Sequence, residues 1–411
     1  MAPTSELSAR TRLAALLGGA VSEASRRLGR GGGSVIGGRA ILAVDPEALA
    51  GLSRGHRVAL VSGTNGKTTT TSLLRAALAT NGPVVTNMLG ANLPPGVASA
   101  LAGGPAGAPA ALEVDEAWLG RVAEATHPVA VALLNLSRDQ LDRNNEVRRL
   151  ASTWRAALEH SAATVVANAD DPLVVWGAGL AGDVRWVGVG LPWTDDAAGC
   201  PACGGRISFD PGGGWACGSC DFTRPRLDAW LEGRDLVDPY GSRTALPMSL
   251  PGRANRANAA IAIVTSEVFG VLRPAAASAM ESVSDVVGRY STVRAGGTEA
   301  RLLLAKNPAG WLEVFDVLRP APVPVVVSIN ARIADGRDPS WLWDVPFERL
   351  AGRVVVASGE RSRDLAVRLR YADIEPLREP DPIMAIAAAG AFSVDVVGNY
   401  TAFQDIRTRL A

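Results

Sequence analysis

Short apolar runs recur along the chain, and each breaks into a polar cluster. Val58-Ala-Leu-Val61, Pro128-Val-Ala-Val-Ala-Leu-Leu-Asn135 and Ala163-Thr-Val-Val-Ala-Asn168 are too short and too continuous for amphipathic helices and read as buried strands. Val84-Val-Thr-Asn-Met-Leu-Gly-Ala-Asn92 and Ala108-Pro-Ala-Ala-Leu-Glu-Val-Asp-Glu-Ala117 read as strands running into loops. Between them lie stretches of helical spacing such as Ser72-Leu-Leu-Arg-Ala-Ala-Leu-Ala79. Alternation of this kind predicts an α/β fold with a parallel, doubly wound sheet. The later part predicts a second α/β unit, with strands at Val323-Pro-Val-Val-Val-Ser-Ile-Asn330, Arg353-Val-Val-Val-Ala-Ser358 and Asp395-Val-Val-Gly398, and a helix at Asp364–Tyr371. The chain opens on an arginine-bearing amphipathic helix, Leu7–Leu17, and a glycine run, which read first as a packed helix with a solvated face and second as a contact for an anionic membrane surface.

The first strand leads into Gly63, Thr64, Asn65, Gly66, Lys67, Thr68 and Thr69. A strand, a tight glycine turn and a helix start aim unpaired N–H groups and the positive end of a helix dipole at one spot, which suits polyphosphate. Lys67 then meets the outer phosphates of ATP and Thr68 holds Mg²⁺. The general phosphate-loop pattern has glycine where this chain has Val61. Ligands of open α/β sheets gather at the carboxyl ends of strands, so Glu113 or Glu116 is the candidate second Mg²⁺ ligand.

Composition sharpens this. Of 41 basic residues only Lys67 and Lys306 are lysines, so each is expected to do what a planar guanidinium cannot. A formal net charge of zero gives no general attraction to nucleic acid. A length of 411 residues predicts two or three domains. The opening lacks the pattern of a secretory signal and no apolar run is long enough for a membrane span, so a cytoplasmic protein is expected. Cys200 and Cys203 form one C-x-x-C pair, Cys217 and Cys220 another, and together they offer a closed tetrahedral shell for structural Zn²⁺.

Gly63-Thr-Asn-Gly-Lys-Thr-Thr69, Asn135-Leu-Ser-Arg-Asp-Gln-Leu-Asp142, Asn168-Ala-Asp-Asp-Pro172 and Pro251-Gly-Arg-Ala-Asn-Arg-Ala-Asn258 resemble, in order and spacing, the central ATPase domain of the Mur ligases. The resemblance implies ligation through an acyl phosphate, with Glu113 as the Mg²⁺ carboxylate and Asn255 and Asn258 beside the adenine. It departs from most of that family: no lysine lies between Lys67 and Lys306 to be carbamylated, the region before Gly51 is short, and a ribbon-like insertion sits at 193–226. These departures, with Lys306-Asn-Pro-Ala-Gly310 and Ala334–Asp344, are similar to the MurT branch, the synthetase subunits of lipid II isoglutaminyl synthase.

That likeness implies a helical lead segment at 1–50, an ATP-binding domain at 51–290 and a C-terminal domain at 291–411 contacting a partner. It implies amidation of D-glutamate in the lipid II stem peptide, with ammonia from a GatD-like class I glutaminase. The chain itself lacks glutaminase parts, since its cysteines suit zinc and its only histidines, His56, His127 and His160, lie outside any nucleophile motif. The C-terminal domain is then expected to lend the partner's triad an Asp, with Asp338 favoured over Asp335 and Asp344, and Lys306 to meet the acyl phosphate. Two other readings are a stand-alone ligase adding an amino acid to a peptide or folate-like acid, and an ATP-switched scaffold whose ribbon binds nucleic acid or protein. The second is weakened by the balance of Arg206 and Arg224 against Asp210 and Asp221.

Overall fold

The computed structural model describes residues 7–28, 34–87, 91–139, 147–284 and 290–410. The chain divides into two compact units. The first comprises Met1–Leu136, Val147–Leu250 and Ala254–Ser284, and the second Ser137–Glu146, Pro251–Arg253 and Asp285–Ala411.

Helices α1 (Ala9–Arg27) and α2 (Ser34–Val44) open the first unit, followed by α3 (Lys67–Leu78), α4 (Pro94–Gly103), α5 (Pro172–Ala178) and α6 (Arg253–Glu267) around its sheet. The strands are β1 (Val58–Ser62), β2 (Val85–Thr86), β3 (Ala110–Glu113), β4 (Ala130–Leu133), β5 (Thr164–Asn168), β6 (Asp183–Gly188), β9 (Ala229–Glu232), β10 (Asp235–Val237) and β11 (Arg243–Ala245). Their order is β11-β10-β9-β6-β5-β4-β1-β3-β2, parallel from β2 to β9 and antiparallel beyond. Strands β1, β3 and β4 are buried at every position, because helices cover both faces, and this explains their continuous apolar runs. Strand β1 lies between β3 and β4, so the chain changes direction across the sheet there and a crevice opens beyond the strand ends.

The predicted strand from Val84 contracts to the two residues of β2, since Asn87 turns its side chain onto the Glu113 backbone, donating to its carbonyl and accepting from its N–H. Met88, Leu89 and Gly90 of that segment lie outside the described residues, as do Gln140, Leu141 and Asp142 of the second motif. A hairpin of β7 (Ile207–Phe209) and β8 (Trp215–Cys217) forms the inserted ribbon.

The second unit holds β12 (Tyr290–Ala295), β13 (Thr298–Leu304), β14 (Val325–Ser328), β15 (Val355–Ser358), β16 (Leu377–Arg378) and β17 (Ser393–Gly398), in the order β12-β13-β17-β14-β15-β16. Val325 and Val327 pack with Trp311 and Phe347, while Val326 packs with Phe403 and Ile406, the alternation of a strand covered on both faces.

Candidate active site

The loop from Gly63 to Gly66 joins β1 to α3, and its shape is set by two glycines. Gly66 is left-handed at φ 85°, and a Cβ there would lie 2.5 Å from Asn258 Oδ1 on α6. At Gly63, with φ 147°, a Cβ would lie 2.9 Å from Leu134 Cβ. Asn135, just past β4, staples the loop: its carbonyl accepts from Thr64 N at 2.9 Å, its Oδ1 from Asn65 N at 2.9 Å, and its Nδ2 donates to Asn65 O at 3.1 Å. Spacing alone gave no hint of this role for Asn135, although the residue stands inside a quoted motif.

Lys67 is buried at the first position of α3. Its Nζ donates to Gly63 O at 2.5 Å and Thr64 O at 3.3 Å, and pairs with Glu116 Oε2 at 2.9 Å. Burial pulls the ammonium's pKa down, but the charges of Glu116 and Glu113 and the hydrogen bond to Glu116 outweigh it, and the net shift is upward. Of the two carboxylates open to choice by sequence, Glu116 is therefore the lysine's counter-ion. Glu113, at the end of β3, is also buried and accepts from Asn92 Nδ2 at 3.3 Å. Thr68 is the one half-exposed position between Gly63 and Thr70, the rest being buried, and Asn255 lies one turn before Asn258 on α6.

The donor set fits the groups the sequence implies. Two glycines leave open a cradle that a Cβ would fill, a hydroxyl at Thr68 and buried carboxylates at Glu113 and Glu116 supply hard oxygen atoms, and Lys67 supplies the cation. These residues would hold ATP and Mg²⁺.

The four cysteines converge, with all sulfurs within 4.8 Å of one another. Cys200 and Cys220 are 3.8 Å apart and Cys203 and Cys217 3.5 Å. A zinc tetrathiolate with Zn–S near 2.3 Å has edges of about 3.8 Å, so the thiols fit Zn²⁺. The Ser219 N–H donates to Cys217 Sγ and draws its pKa down to about 7, favouring the thiolate that a metal needs.

The ribbon is tied to the site. Trp215 of β8 donates through Nε1 to Ala169 O at 3.0 Å, and Arg224 pairs with Asp170. The next residue, Asp171, caps α5 by accepting from Leu173 N at 2.9 Å and reaches across to Leu136 N, also at 2.9 Å. Burial pushes its pKa up to about 6, against the three backbone N–H groups that pull it down. Leu136 follows Asn135, so a chain of contacts leads from the cysteines to the phosphate loop.

In the second unit Lys306 pairs with Asp139, the first acid of the second motif. The three C-terminal aspartates differ sharply. Asp335 is buried and accepts from Thr401 N at 2.8 Å, Thr401 Oγ1 and Arg332 N at 3.2 Å. Asp344 is exposed and pairs with Arg138 at 3.3 Å. Asp338 is exposed and closes a short turn onto Ser340 N at 2.9 Å.

Residues 61–184 match the Mur ligase middle domain and residues 304–403 the MurT ligase C-terminal domain. The MurT subunit of lipid II isoglutaminyl synthase (glutamine-hydrolyzing) from Streptococcus pneumoniae (strain ATCC BAA-255 / R6) is 30% identical over 88% of this chain and 87% of its own length. The chain belongs to the MurT family. The MurT subunit from Staphylococcus aureus (strain N315) is 29% identical over 86% of each chain. The middle-domain match spans the phosphate loop, Glu113 and Glu116, and the MurT C-terminal match spans Lys306 and all three aspartates. The MurT-family chain also shares the Mur ligase fold. A pseudomurein peptide ligase type C from Methanothermus fervidus superposes with a TM-score of 0.67 at 17% identity, covering 87% of this chain and 79% of that one. MurF ligase from Thermotoga maritima in complex with ADP gives 0.61 at 15%, covering 88% and 82%.

Proposed function

We propose that this chain is the synthetase subunit of a lipid II isoglutaminyl synthase, an ATP-dependent carbon–nitrogen ligase of peptidoglycan biosynthesis. The carrying observation is Lys67, buried at the start of the helix after β1 beside two buried carboxylates in a MurT-family chain. When triphosphate enters, Lys67 leaves Glu116 for the outer phosphates, while loop N–H groups from Gly63 to Thr69 hold the anion. Thr68 and Glu113 would hold Mg²⁺, which would supply charge neutralisation on the transferred phosphoryl group. Asn258 supports the loop through Gly66, and with Asn255 lies toward the adenine.

The acceptor is the α-carboxylate of D-glutamate in the lipid II stem peptide. One carboxylate oxygen attacks the γ-phosphorus, ADP leaves, and an acyl phosphate forms. Ammonia then attacks the acyl carbon, inorganic phosphate leaves, and loss of a proton gives the carboxamide of D-isoglutamine. Lys306, released from Asp139, screens the departing phosphate.

Ammonia comes from a GatD-like class I glutaminase bound to this chain. The chain does not supply its own: its cysteines converge on one another, His56 is engaged with Ala108 O at 2.7 Å, and His127 caps a helix in the left-handed region. Asp338 completes the partner's triad, since Asp335 is spent on Thr401 and Arg332 and Asp344 on Arg138. Among the described residues no helix is long and apolar enough to cross a membrane. The proposed substrate, a lipid-linked precursor, is what leads us to propose a cytoplasmic chain peripheral to the inner membrane face. Purified chain given ATP, ammonium salt and lipid II should convert the stem-peptide carboxyl to carboxamide, read by mass spectrometry. Failure with ample free ammonia would refute the assignment.

A further inference from the structure

Helix α1 turns its small residues inward and its large apolar ones outward. Thr11, Ala14, Gly18 and Ser25 are buried, while Leu13, Leu16 and Leu17 are 53%, 71% and 44% exposed. With Ala20 and Ala24, also exposed, the leucines fall within an arc of about 100° on the helix surface. The inversion follows from packing: a Cβ on Gly37 of α2 would lie 1.9 Å from Ser22 Oγ and 2.6 Å from Gly18 O, so only small residues can face that crossing. Leu28, just past the end of α1, and Val35 and Ile36 of α2 are exposed as well.

Charge gathers on the same segment. Residues 7–44 contain six arginines and one acid, Glu23, in a chain whose formal net charge is zero. Arg10 and Arg12 flank the leucine arc on its two sides at helical spacing, with Arg10 donating through Nε to Val44 O at 2.7 Å. Arg26 and Arg27 share Glu23 at exposed positions, at 2.7 and 2.8 Å, and such pairs exchange readily for phosphate. The segment has no aromatic residue to anchor a protein interface.

We propose that this face docks on an anionic lipid bilayer, α1 lying in the headgroup plane with Leu13, Leu16 and Leu17 entering the acyl boundary and the arginines meeting lipid phosphates. The surface stands by itself; its purpose, delivering the chain to a lipid-linked acceptor, rests on the function proposed above.

Flotation of the full chain with vesicles tests it. With equal parts of phosphatidylcholine and phosphatidylglycerol the chain should float, should not with phosphatidylcholine alone, and should be released by salt. The variant Leu13→Gln/Leu16→Gln/Leu17→Gln should partition at least about tenfold more weakly, and Arg26→Gln/Arg27→Gln about threefold more weakly, both with an unchanged thermal midpoint because the sites are exposed. Absence of flotation, or equal flotation of the leucine variant, overturns the proposal. So does a dimer of the parent that the leucine variant dissociates without vesicle binding, which would make the occupant a second copy. A chain that floats as expected yet amidates nothing leaves the docking face standing and removes the proposed reaction.

Discussion

Lys67 is held both by the loop carbonyls of Gly63 and Thr64 and by the charge of Glu116. Removing it leaves Glu116 buried without its counter-charge, and breaking a buried pair on one side typically costs about 3–5 kcal/mol. Lys67→Ala should therefore lower the thermal midpoint as well as abolish ATP turnover, and the two effects must be separated. The double variant Lys67→Met/Glu116→Gln removes both charges. It should recover most of the midpoint while turnover stays at least about a hundredfold down. Recovery of turnover in the double variant would show that Lys67 serves folding and not phosphate. Sequence pointed to Lys67 through glycine spacing and the scarcity of lysine; strand-end position left Glu113 and Glu116 level, and the family resemblance named Glu113 for Mg²⁺. Their difference is one of reach: Glu113 ends β3, whereas Glu116 sits three residues further along, where its carboxylate meets Nζ.

Among the elements, the four-cysteine ribbon has the longest reach. Its hairpin is short, and Trp215, Ile207 and Cys200 form a small cluster with Val175 that a metal must help to hold. Trp215 and Arg224 grip the segment Ala169–Asp170, Asp171 bonds Leu136, and Asn135 holds the phosphate loop. Stripping zinc with a chelator, with loss of metal followed by mass spectrometry, should lower the thermal midpoint and raise the KM for ATP several-fold, about 1 kcal/mol of binding. An unchanged KM in the metal-free chain would confine the ribbon's influence to its own fold. The C-x-x-C spacing made the convergence of the four thiols legible in the sequence. It said nothing of the link to Asp170, which depends on where β8 lies against the end of β5.

At the scale of the whole molecule, the chain combines two α/β units with separate sheets, and the proposed function gives it the synthetase half of a glutamine-dependent reaction. That division predicts an asymmetry. In complex with its glutaminase, Asp338→Asn should reduce glutamine-dependent amidation about 10²–10⁴-fold, as loss of a triad carboxylate does elsewhere, and leave ammonia-dependent amidation at the parent rate. Equal rates from glutamine would return the role to Asp344 or remove it from this chain. Much of the architecture could be read directly from the chain: buried strands, glycine turn and paired cysteines are local patterns, fixed by backbone preference, burial on both sheet faces and ligand spacing. What only the folded molecule decided is which distant groups meet. Asn135 joins a loop 70 residues away, Lys67 finds a carboxylate 49 residues away, and α1 presents leucines outward because glycines must face its neighbour. Such pairings follow from strand order and helix crossing, which no short stretch of sequence encodes by itself.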